Sequence, residues 1–308
     1  MLKFTAPLLL ITLLLGTQFM ISSCSSSLKQ SNKPNILVVG HRGTRGYMPE
    51  NTWPSFEKSL EMGVDAIEMD VTVTKDKELL VSHDPFAVSE ICLDPQGKKI
   101  PEADQKKHNF YKMSYGEIQA YDCGTKPHPR FPLQQKFKIT KPLLSEVITK
   151  GEAWGKAHNK ELRYYIEIKS VKEEDNIFQP DAKEFARLSY EAFKSLGILN
   201  KMLVLSFDER ILQELKILDP KLPLDFLVEN QNGVEKNLAL LGFNPDVYGV
   251  DYNLLSQNDV DYLHSKKIQV APWTLNEISE IKKMVELGVD SITTDYPDRV
   301  FSVLNKGL

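Results

Sequence analysis

A turn with one recurring pattern occurs four times in the sequence, each time between an amphipathic stretch and a short apolar run. The copies are Met62-Gly63-Val64-Asp65, Leu196-Gly197-Ile198, Leu241-Gly242-Phe243-Asn244 and Leu287-Gly288-Val289-Asp290. Glycine at this place can end a helix in the left-handed conformation, and the apolar residue after it packs the turn before a strand. The repeat therefore predicts a chain that alternates helices with strands.

Short runs rich in Val, Ile and Leu are separated by longer amphipathic stretches, which is typical of parallel strands joined by crossover helices. The predicted strands are Ile36–Gly40, Ala66–Val71, Tyr164–Ile168, Met202–Ser206, Leu222–Val228, Val247–Asp251, Ile268–Trp273 and Ser291–Thr294. Eight strand-helix units in a chain of 308 residues favour an α/β fold of the (β/α)8 TIM-barrel type. A doubly wound open sheet is the alternative.

A ninth apolar run, Leu79–Ser82, follows the second strand too closely for a parallel crossover, which needs a dozen or more residues. We expect it to fold back as an antiparallel hairpin. The excess length lies at residues 85–141, where proline-rich turns interrupt any periodicity. The sequence therefore predicts a barrel domain over residues 35–308, with residues 85–141 as a small insertion after the second strand that caps one mouth.

Three helix starts are predicted from side chains that can accept a hydrogen bond from free backbone N–H groups. Asn51-Thr52 precede a helix that runs to Leu60, and Ser145 with Glu146 precede one that runs to Ala157. Asp208 precedes a helix over Glu209–Leu218. All three positions are expected to be helix caps.

The N-terminus reads as a targeting segment that must be removed before any argument about the fold. Lys3 is followed by an apolar run from Phe4 to Ile21 and then by Ser22-Ser23-Cys24, which resembles a bacterial lipoprotein signal. Residues 1–23 are then the signal peptide, Cys24 carries the lipid and residues 24–34 form a tether. We expect a lipid-anchored protein of the bacterial cell envelope that faces the periplasm; an uncleaved membrane anchor is the alternative.

The charge balance limits the possible partners, and the remaining cysteines raise the question of a disulfide bond. With 38 Lys and Arg against 42 Asp and Glu, the net charge of -4 offers no basic surface for a phosphate backbone, so nucleic acid is not an expected partner. Cys92 and Cys123 could pair in an oxidising compartment, although their spacing alone does not show it.

Acidic residues lie at the ends of two predicted strands, where the active sites of such barrels are found. Glu68 and Asp70 are two residues apart, so the period of a strand puts both on one face, and Glu167 lies on the next strand along the chain. Three converging carboxylates are costly without a cation, and oxygen ligands suit Mg²⁺ or Ca²⁺ better than Zn²⁺. A polar strand face is the simpler explanation for Glu68 and Asp70 alone.

Further polar residues end the strands at the same mouth: His41 and Arg42, then His83, then Lys169 and finally Trp273. The two cations would suit an anionic, phosphate-like substrate, although they could merely balance the acids. The other histidines are expected to have only structural hydrogen bonds; they are His108, His128, His158 and His264.

Several motifs in this order resemble the glycerophosphodiester phosphodiesterase family, a branch of the barrel phosphodiesterases that include phosphatidylinositol-specific phospholipases C. The motifs are Gly40-His41-Arg42-Gly43, Pro49-Glu50-Asn51-Thr52, Gly63–Val71, Thr74-Lys75-Asp76, Val81-Ser82-His83-Asp84, Pro142–Val147, Ile166-Glu167-Ile168-Lys169, Trp273-Thr274-Leu275-Asn276 and Gly288–Pro297. One departure is Lys77, where many relatives have a turn glycine.

The resemblance implies a role for each residue. Glu68, Asp70 and Glu167 would hold a divalent metal, His41 and His83 would be the catalytic acid and base, and Arg42 and Lys169 would bind the phosphate as part of the catalytic site. Trp273 would line the substrate pocket. The resemblance leaves open which histidine is the base.

The function expected from these residues is hydrolysis of glycerophosphodiesters, which are deacylated phospholipids, to glycerol 3-phosphate and an alcohol. An alternative is a phospholipase C or D type activity on lysophospholipid or phospholipid, which an apolar insertion would favour; the insertion instead contains several lysines. A second alternative is a noncatalytic lipoprotein that binds a phosphorylated ligand, but no expected catalytic group is missing.

Overall fold

The computed structural model describes residues 1–4 and 36–306. The chain divides into two units, residues 1–32 and 33–308, and the fold described below belongs to the second. The greater part of the predicted signal peptide, the lipidation site Cys24 and the whole of the tether lie outside the described residues. In the described part of the chain, no helix combines the length and the apolar character needed to cross a bilayer.

Eight parallel strands form a nearly closed barrel, which confirms the predicted TIM-barrel fold. They are β1 (Leu37–Gly40), β2 (Ala66–Val73), β4 (Tyr164–Ile168), β5 (Met202–Ser206), β6 (Leu224–Val228), β7 (Val247–Asp251), β8 (Gln269–Trp273) and β9 (Ser291–Thr294). Neighbours pair in the order β8-β7-β6-β5-β4-β2-β1-β9. Backbone hydrogen bonds from Asp290 to Val270 (2.9 Å) and from Leu275 to Thr293 (3.0 Å) connect the two outermost strands.

The remaining strand, β3 (Leu79–Val81), pairs antiparallel with β2, as the short connection predicted. The turn between them places Lys77 at a φ of 62°, the left-handed region in which glycine is the usual residue. The position where the sequence departs from its relatives therefore keeps the turn conformation.

The long helices pack outside the barrel and follow the strands. They are α1 (Trp53–Met62), α3 (Leu144–His158), α4 (Ala182–Ser195), α5 (Glu209–Leu218), α6 (Val234–Leu241), α7 (Gln257–Ser265), α8 (Ile278–Leu287) and α9 (Pro297–Lys306); the short α2 (Tyr115–Ile118) lies in the insertion. The glycines of the four recurring turns have φ values between 70° and 94°, so the predicted left-handed conformation is confirmed.

The predicted helix caps are confirmed only in part. Thr52 is the N-cap residue of α1, but its hydroxyl donates to the Pro49 carbonyl (2.6 Å) and accepts nothing from the helix, while Asn51 is directed to Asp70. Helix α3 begins at Leu144, so Ser145 lies inside its first turn, whereas the Glu146 side chain caps the helix by accepting from the Leu143 N–H (3.1 Å). Asp208 is a cap as predicted, accepting from the Arg210 N–H (3.0 Å). At Asn51, the tertiary contact with Asp70 decides what the side chain binds.

The insertion has a core of its own. A buried apolar cluster that includes Ile91, Phe110 and Ile118 is separate from the main cluster between the barrel and its helices. Within it, Cys92 and Cys123 form a disulfide bond, which resolves a pairing that the sequence left open. The covalent link joins two parts of the inserted segment that are 31 residues apart in the sequence.

Candidate active site

A cavity of about 750 Å³ opens at the carboxyl ends of the strands. The barrel contributes one wall and the insertion contributes the other. Every predicted site residue of the barrel domain lines this cavity except Asp70, which is almost completely buried beside it. The residues that sequence reasoning placed at one mouth are thus brought together.

The acidic cluster consists of Glu68 and Asp70 on β2 and Glu167 on β4. Asp70 and Glu167 are register partners on adjacent strands, which explains why they meet. One carboxylate oxygen from each of the three residues lies within 4.8 Å of the others, and all three side chains are buried. This separation brings the three oxygens close enough to coordinate one ion.

The electrostatics of the cluster suit a cation. Burial, together with the charges of Asp70 and Glu167, raises the pKa of Glu68 well above its usual value. Burial also raises the pKa of Glu167. Burial alone would raise the pKa of Asp70 too, but Arg42 and other cations hold it well below its usual range. The carboxylates repel one another, and bound Mg²⁺ or Ca²⁺ would remove that repulsion.

The carboxylate oxygens of the cluster lead to the same conclusion. Asp70 Oδ1 is buried and has no hydrogen-bond partner among the described residues, and the Lys169 ammonium lies 4.0 Å from it and 2.7 Å from Glu167 Oε1. Asn51 Nδ2 donates to the other oxygen of Asp70 at 2.7 Å. Asn51 therefore orients the Asp70 carboxylate, a role that sequence reasoning missed when it treated this residue as a cap.

The two predicted phosphate-binding cations lie against the acids. Arg42 Nη1 is 3.1 Å from Glu50, and Arg42 Nε is 3.2 Å from Asp70. The backbone N–H of Arg42 donates to Glu68 Oε2 at 2.7 Å. Burial alone would lower the pKa of Lys169, but the negative charge of Glu167 raises it, so the ammonium stays charged. Both cations line the cavity while paired with these carboxylates.

His41 is held from behind by a carboxylate. Its Nδ1 lies 2.8 Å from Asp295, which also accepts hydrogen bonds from Arg45 (2.8 and 3.0 Å) and Asn276 (2.8 Å). Burial alone would raise the pKa of Asp295, but His41 and Arg45 hold it far below its usual range, so Asp295 is an acceptor. The proton therefore resides on Nδ1 of the neutral ring, and Nε2 keeps its lone pair.

Burial, aided by the charge of Arg45, lowers the pKa of His41 to about 4, although Asp295 acts in the opposite direction. The imidazole is consequently neutral near pH 7, the state that a general base requires. Asp295 was missed as a functional residue, although it lies inside the Gly288–Pro297 motif that carried part of the resemblance.

His83 has a more open environment. It follows β3, its side chain is 31% exposed, and its Nδ1 lies 3.1 Å from the neighbouring Asp84, which is 35% exposed. Trp273 lines the cavity as predicted and meets the edge of Phe207, with ring centroids 5.4 Å apart. Phe207 is a wall residue that sequence reasoning did not identify.

The four remaining histidines have the structural hydrogen bonds expected of them. His108 pairs with the Tyr121 hydroxyl (2.8 Å), His158 with the Trp154 carbonyl (2.8 Å) and His264 with Asp290 (2.9 Å). His128 accepts from the Arg130 N–H at Nδ1 (3.3 Å), and it also lines the cavity, where its Nε2 is 3.5 Å from Glu90.

Comparison with known proteins agrees with this geometry. A profile of the glycerophosphoryl diester phosphodiesterase family matches residues 41–299. A Bacillus subtilis (strain 168) protein named glycerophosphodiester phosphodiesterase is 29% identical over 300 residues, covering 94% of each chain. A rat protein named lysophospholipase D GDPD1 is 26% identical over 312 residues, again covering 94% of each chain.

Solved structures share the fold. A crystal structure of a glycerophosphoryl diester phosphodiesterase homologue from Silicibacter pomeroyi DSS-3 is 27% identical with a TM-score of 0.79, covering 88% of this chain and 93% of that one. An Oleispira antarctica phosphodiesterase, solved with its product sn-glycerol-3-phosphate, is 21% identical with a TM-score of 0.69, covering 88% and 97%. The profile match spans more than half of the sequence, and the chain belongs to the glycerophosphoryl diester phosphodiesterase family.

Proposed function

We propose that this chain hydrolyses glycerophosphodiesters such as glycerophosphocholine and glycerophosphoethanolamine to glycerol 3-phosphate and an alcohol, with a divalent cation as cofactor. The observation that carries the proposal is one cavity in which His41, His83, Arg42 and Lys169 lie beside the acidic cluster. The name of the Bacillus subtilis relative and the product bound to the Oleispira antarctica phosphodiesterase support the same reaction.

Glu68, Asp70 and Glu167 would hold the ion, because one oxygen from each converges in a buried cluster and three carboxylates suit Mg²⁺ or Ca²⁺. When bound, such an ion supplies positive charge that stabilises the developing negative charge of the transition state. Arg42 and Lys169 then bind the nonbridging phosphate oxygens and orient the ester. Their positive charge offsets the repulsion that otherwise protects a phosphodiester from an approaching hydroxyl.

The two histidines divide the proton transfers. His41, neutral and held by Asp295, accepts the proton of the attacking hydroxyl, which belongs to water or to the glycerol of the substrate. His83, at the more open wall, donates a proton to the departing alcohol. Each transfer contributes about 10²- to 10⁴-fold in rate.

The direct experiment is a product assay. Purified full-length protein is mixed with glycerophosphocholine and either Mg²⁺ or Ca²⁺, and glycerol 3-phosphate is measured enzymatically. We expect turnover that stops with chelator and returns with added metal. Binding of glycerophosphocholine without release of glycerol 3-phosphate would contradict the proposal and favour a noncatalytic binding protein.

A second candidate substrate is lysophospholipid. The insertion places the apolar side chains of Phe86, Val88 and Ile91 in the cavity wall, together with charged residues such as Lys106, and Val171, 50% exposed, also lines the cavity. The insertion therefore contributes apolar surface that its lysine-rich sequence did not indicate, and the rat relative bears the name of a lysophospholipase D. Comparing kcat/KM for lysophosphatidylcholine and glycerophosphocholine separates the two substrates.

The location of the protein is also a proposal. We propose a lipoprotein anchored through Cys24 in the bacterial cell envelope and facing the periplasm, on the basis of the signal-like residues 1–23. The Cys92–Cys123 disulfide supports an exported location, because such bonds persist in oxidising compartments. Cys24→Ser is expected to move the protein from the membrane fraction to the soluble fraction; unchanged membrane association would contradict the lipid anchor.

A further inference from the structure

The cavity extends past the acidic cluster into the interior of the barrel, a region that side chains usually fill completely in this fold. Its lining there is mainly apolar and includes Leu205, Leu227 and Ala271, which belong to one buried cluster. The aromatic ring of Tyr165 lies beside this cluster. Among these apolar side chains, Asp225 on β6 introduces a carboxyl group.

Asp225 is only 2% exposed and lines the cavity. The backbone N–H of Gly249 is a hydrogen-bond partner of this carboxyl group, but Oδ1 is buried without a partner among the described residues. A buried polar atom without a partner destabilises the fold, so such an atom facing a cavity indicates a ligand that completes its hydrogen bonding.

The neighbouring strand leaves room for this carboxyl. Gly249 on β7 lies beside it, and a Cβ atom at that position would be 2.8 Å from Asp225 Oδ1 and 2.5 Å from Leu227 Cδ2. Any side chain at residue 249 would therefore displace the carboxyl. The space around Asp225 on β6 therefore depends on the absence of a side chain at Gly249 on β7.

The protonation state of Asp225 favours one kind of ligand. Burial, aided by the charge of Glu167, raises the pKa of Asp225 to about 8, so the group is mostly a neutral acid near pH 7. A neutral carboxylic acid both donates and accepts a hydrogen bond, which matches a hydroxyl group. An ammonium group would need the carboxylate, whereas a hydroxyl binds without any change of charge.

We propose that Asp225 is a specificity-determining residue that hydrogen-bonds a hydroxyl of the glycerol part of the substrate, deep in the barrel below the phosphate. The proposal rests on the function proposed above. It adds that the deep end of the cavity selects a polyol, while the wall formed by the insertion faces the other alcohol.

The experiment compares two phosphomonoesters that differ only in their hydroxyls, glycerol 3-phosphate and n-propyl phosphate, by calorimetric titration at saturating Mg²⁺. We expect Asp225→Leu to weaken glycerol 3-phosphate binding about tenfold or more, which corresponds to about 1.4 kcal/mol, and to leave n-propyl phosphate binding unchanged. Asp225→Asn, which keeps a donor and an acceptor, should stay within about threefold of wild type for both ligands.

Two results would overturn the proposal: Asp225→Leu weakens both ligands equally, or it leaves the affinity for glycerol 3-phosphate unchanged. A third is an Asp225→Asn variant that binds glycerol 3-phosphate as weakly as the leucine variant, because that would mean the negative charge is needed. If the leucine variant does not fold, Asp225→Ala poses the same question without adding bulk. Turnover of glycerophosphocholine by the wild type tests the proposed function separately, so the two failures are distinguishable.

Discussion

The two walls of the cavity are built in different ways. On the barrel wall, His41, Glu68 and Glu167 lie on or directly after strands, and hydrogen bonds or ion pairs from other buried residues hold them. Beside the insertion wall, His83 follows β3 and is about one-third exposed, and the only ion pair described for it is with the adjacent Asp84. The barrel wall thus fixes charges and proton positions, while the insertion wall shapes the pocket beside the more exposed His83.

The largest effects that test this comparison are expected when each catalytic histidine candidate is removed in turn. We expect His41→Ala to lower kcat for glycerophosphocholine by about 10³- to 10⁴-fold and His83→Ala by about 10²- to 10³-fold, because each transfers a proton. With a p-nitrophenyl ester, whose leaving group needs no acid, only the His83 variant should regain most of its rate. His264→Ala, at an exposed histidine, is the control that should keep wild-type activity.

Equal recovery of both histidine variants on the p-nitrophenyl ester would contradict the assignment of base and acid. Recovery of the His41 variant alone would reverse it.

A smaller effect on kcat is expected when Asp295, the hydrogen-bond partner of His41, is changed. Asp295→Asn removes a charged hydrogen bond worth about 1.5–3 kcal/mol, so kcat should fall about 10- to 100-fold if that bond fixes the ring for catalysis. Asp84→Asn, the matching change beside His83, should lower kcat less than about threefold, because an exposed ion pair contributes little. The comparison is measured from kcat values at saturating metal, and a larger loss in Asp84→Asn would contradict it.

The pH dependence of kcat/KM tests the environment of His41 on the barrel wall. The pKa of His41 lies at about 4, below the ordinary 6.5, so the neutral base persists as pH falls and is lost only near pH 4. At saturating metal, kcat/KM at pH 5 should stay near its value at pH 7. With a base of pKa 6.5, kcat/KM would instead fall about 25-fold over this range. An acidic limb centred near 6.5 would mean that His41 is not buried as described.

The smallest effect on chemistry is expected at the insertion wall. The paired substitutions Cys92→Ser and Cys123→Ser should lower the free energy of unfolding by about 2–4 kcal/mol, because the disulfide no longer restrains the unfolded chain. We expect KM to rise a few-fold as the wall loosens while kcat changes less than twofold. Denaturant unfolding and steady-state kinetics measure both, and a large fall in kcat would show that the insertion also positions catalytic groups.

Most functional residues of the barrel wall could be predicted from the sequence, because the geometry of a strand is local. A spacing of two residues puts Glu68 and Asp70 on one face, and the parallel register then brings Glu167 beside Asp70. Four of the predicted strands, such as Tyr164–Ile168, have the observed bounds. This periodicity arises because buried positions carry apolar residues, and that pattern is visible in the sequence.

Contacts between distant residues were beyond the reach of the sequence. The bond between His41 and Asp295 joins β1 to the end of β9, and Asn51 looked like a cap because its pairing with Asp70 depends on the closed barrel. Asp225 stands in an apolar strand, where nothing local marks it as a cavity residue. The insertion lacks periodicity altogether, so its separate core and its contribution to the cavity emerge only in three dimensions.

The most direct test of the account is a calorimetric titration of the full-length protein with Mg²⁺ and with Ca²⁺. The account predicts one ion per chain for at least one of the two metals, with binding lost in Glu68→Gln and retained in Glu174→Gln, an acid that lines the same cavity outside the cluster. Binding that survives in Glu68→Gln, or a wild-type protein that binds neither ion, would contradict the claim that these three carboxylates form a metal centre.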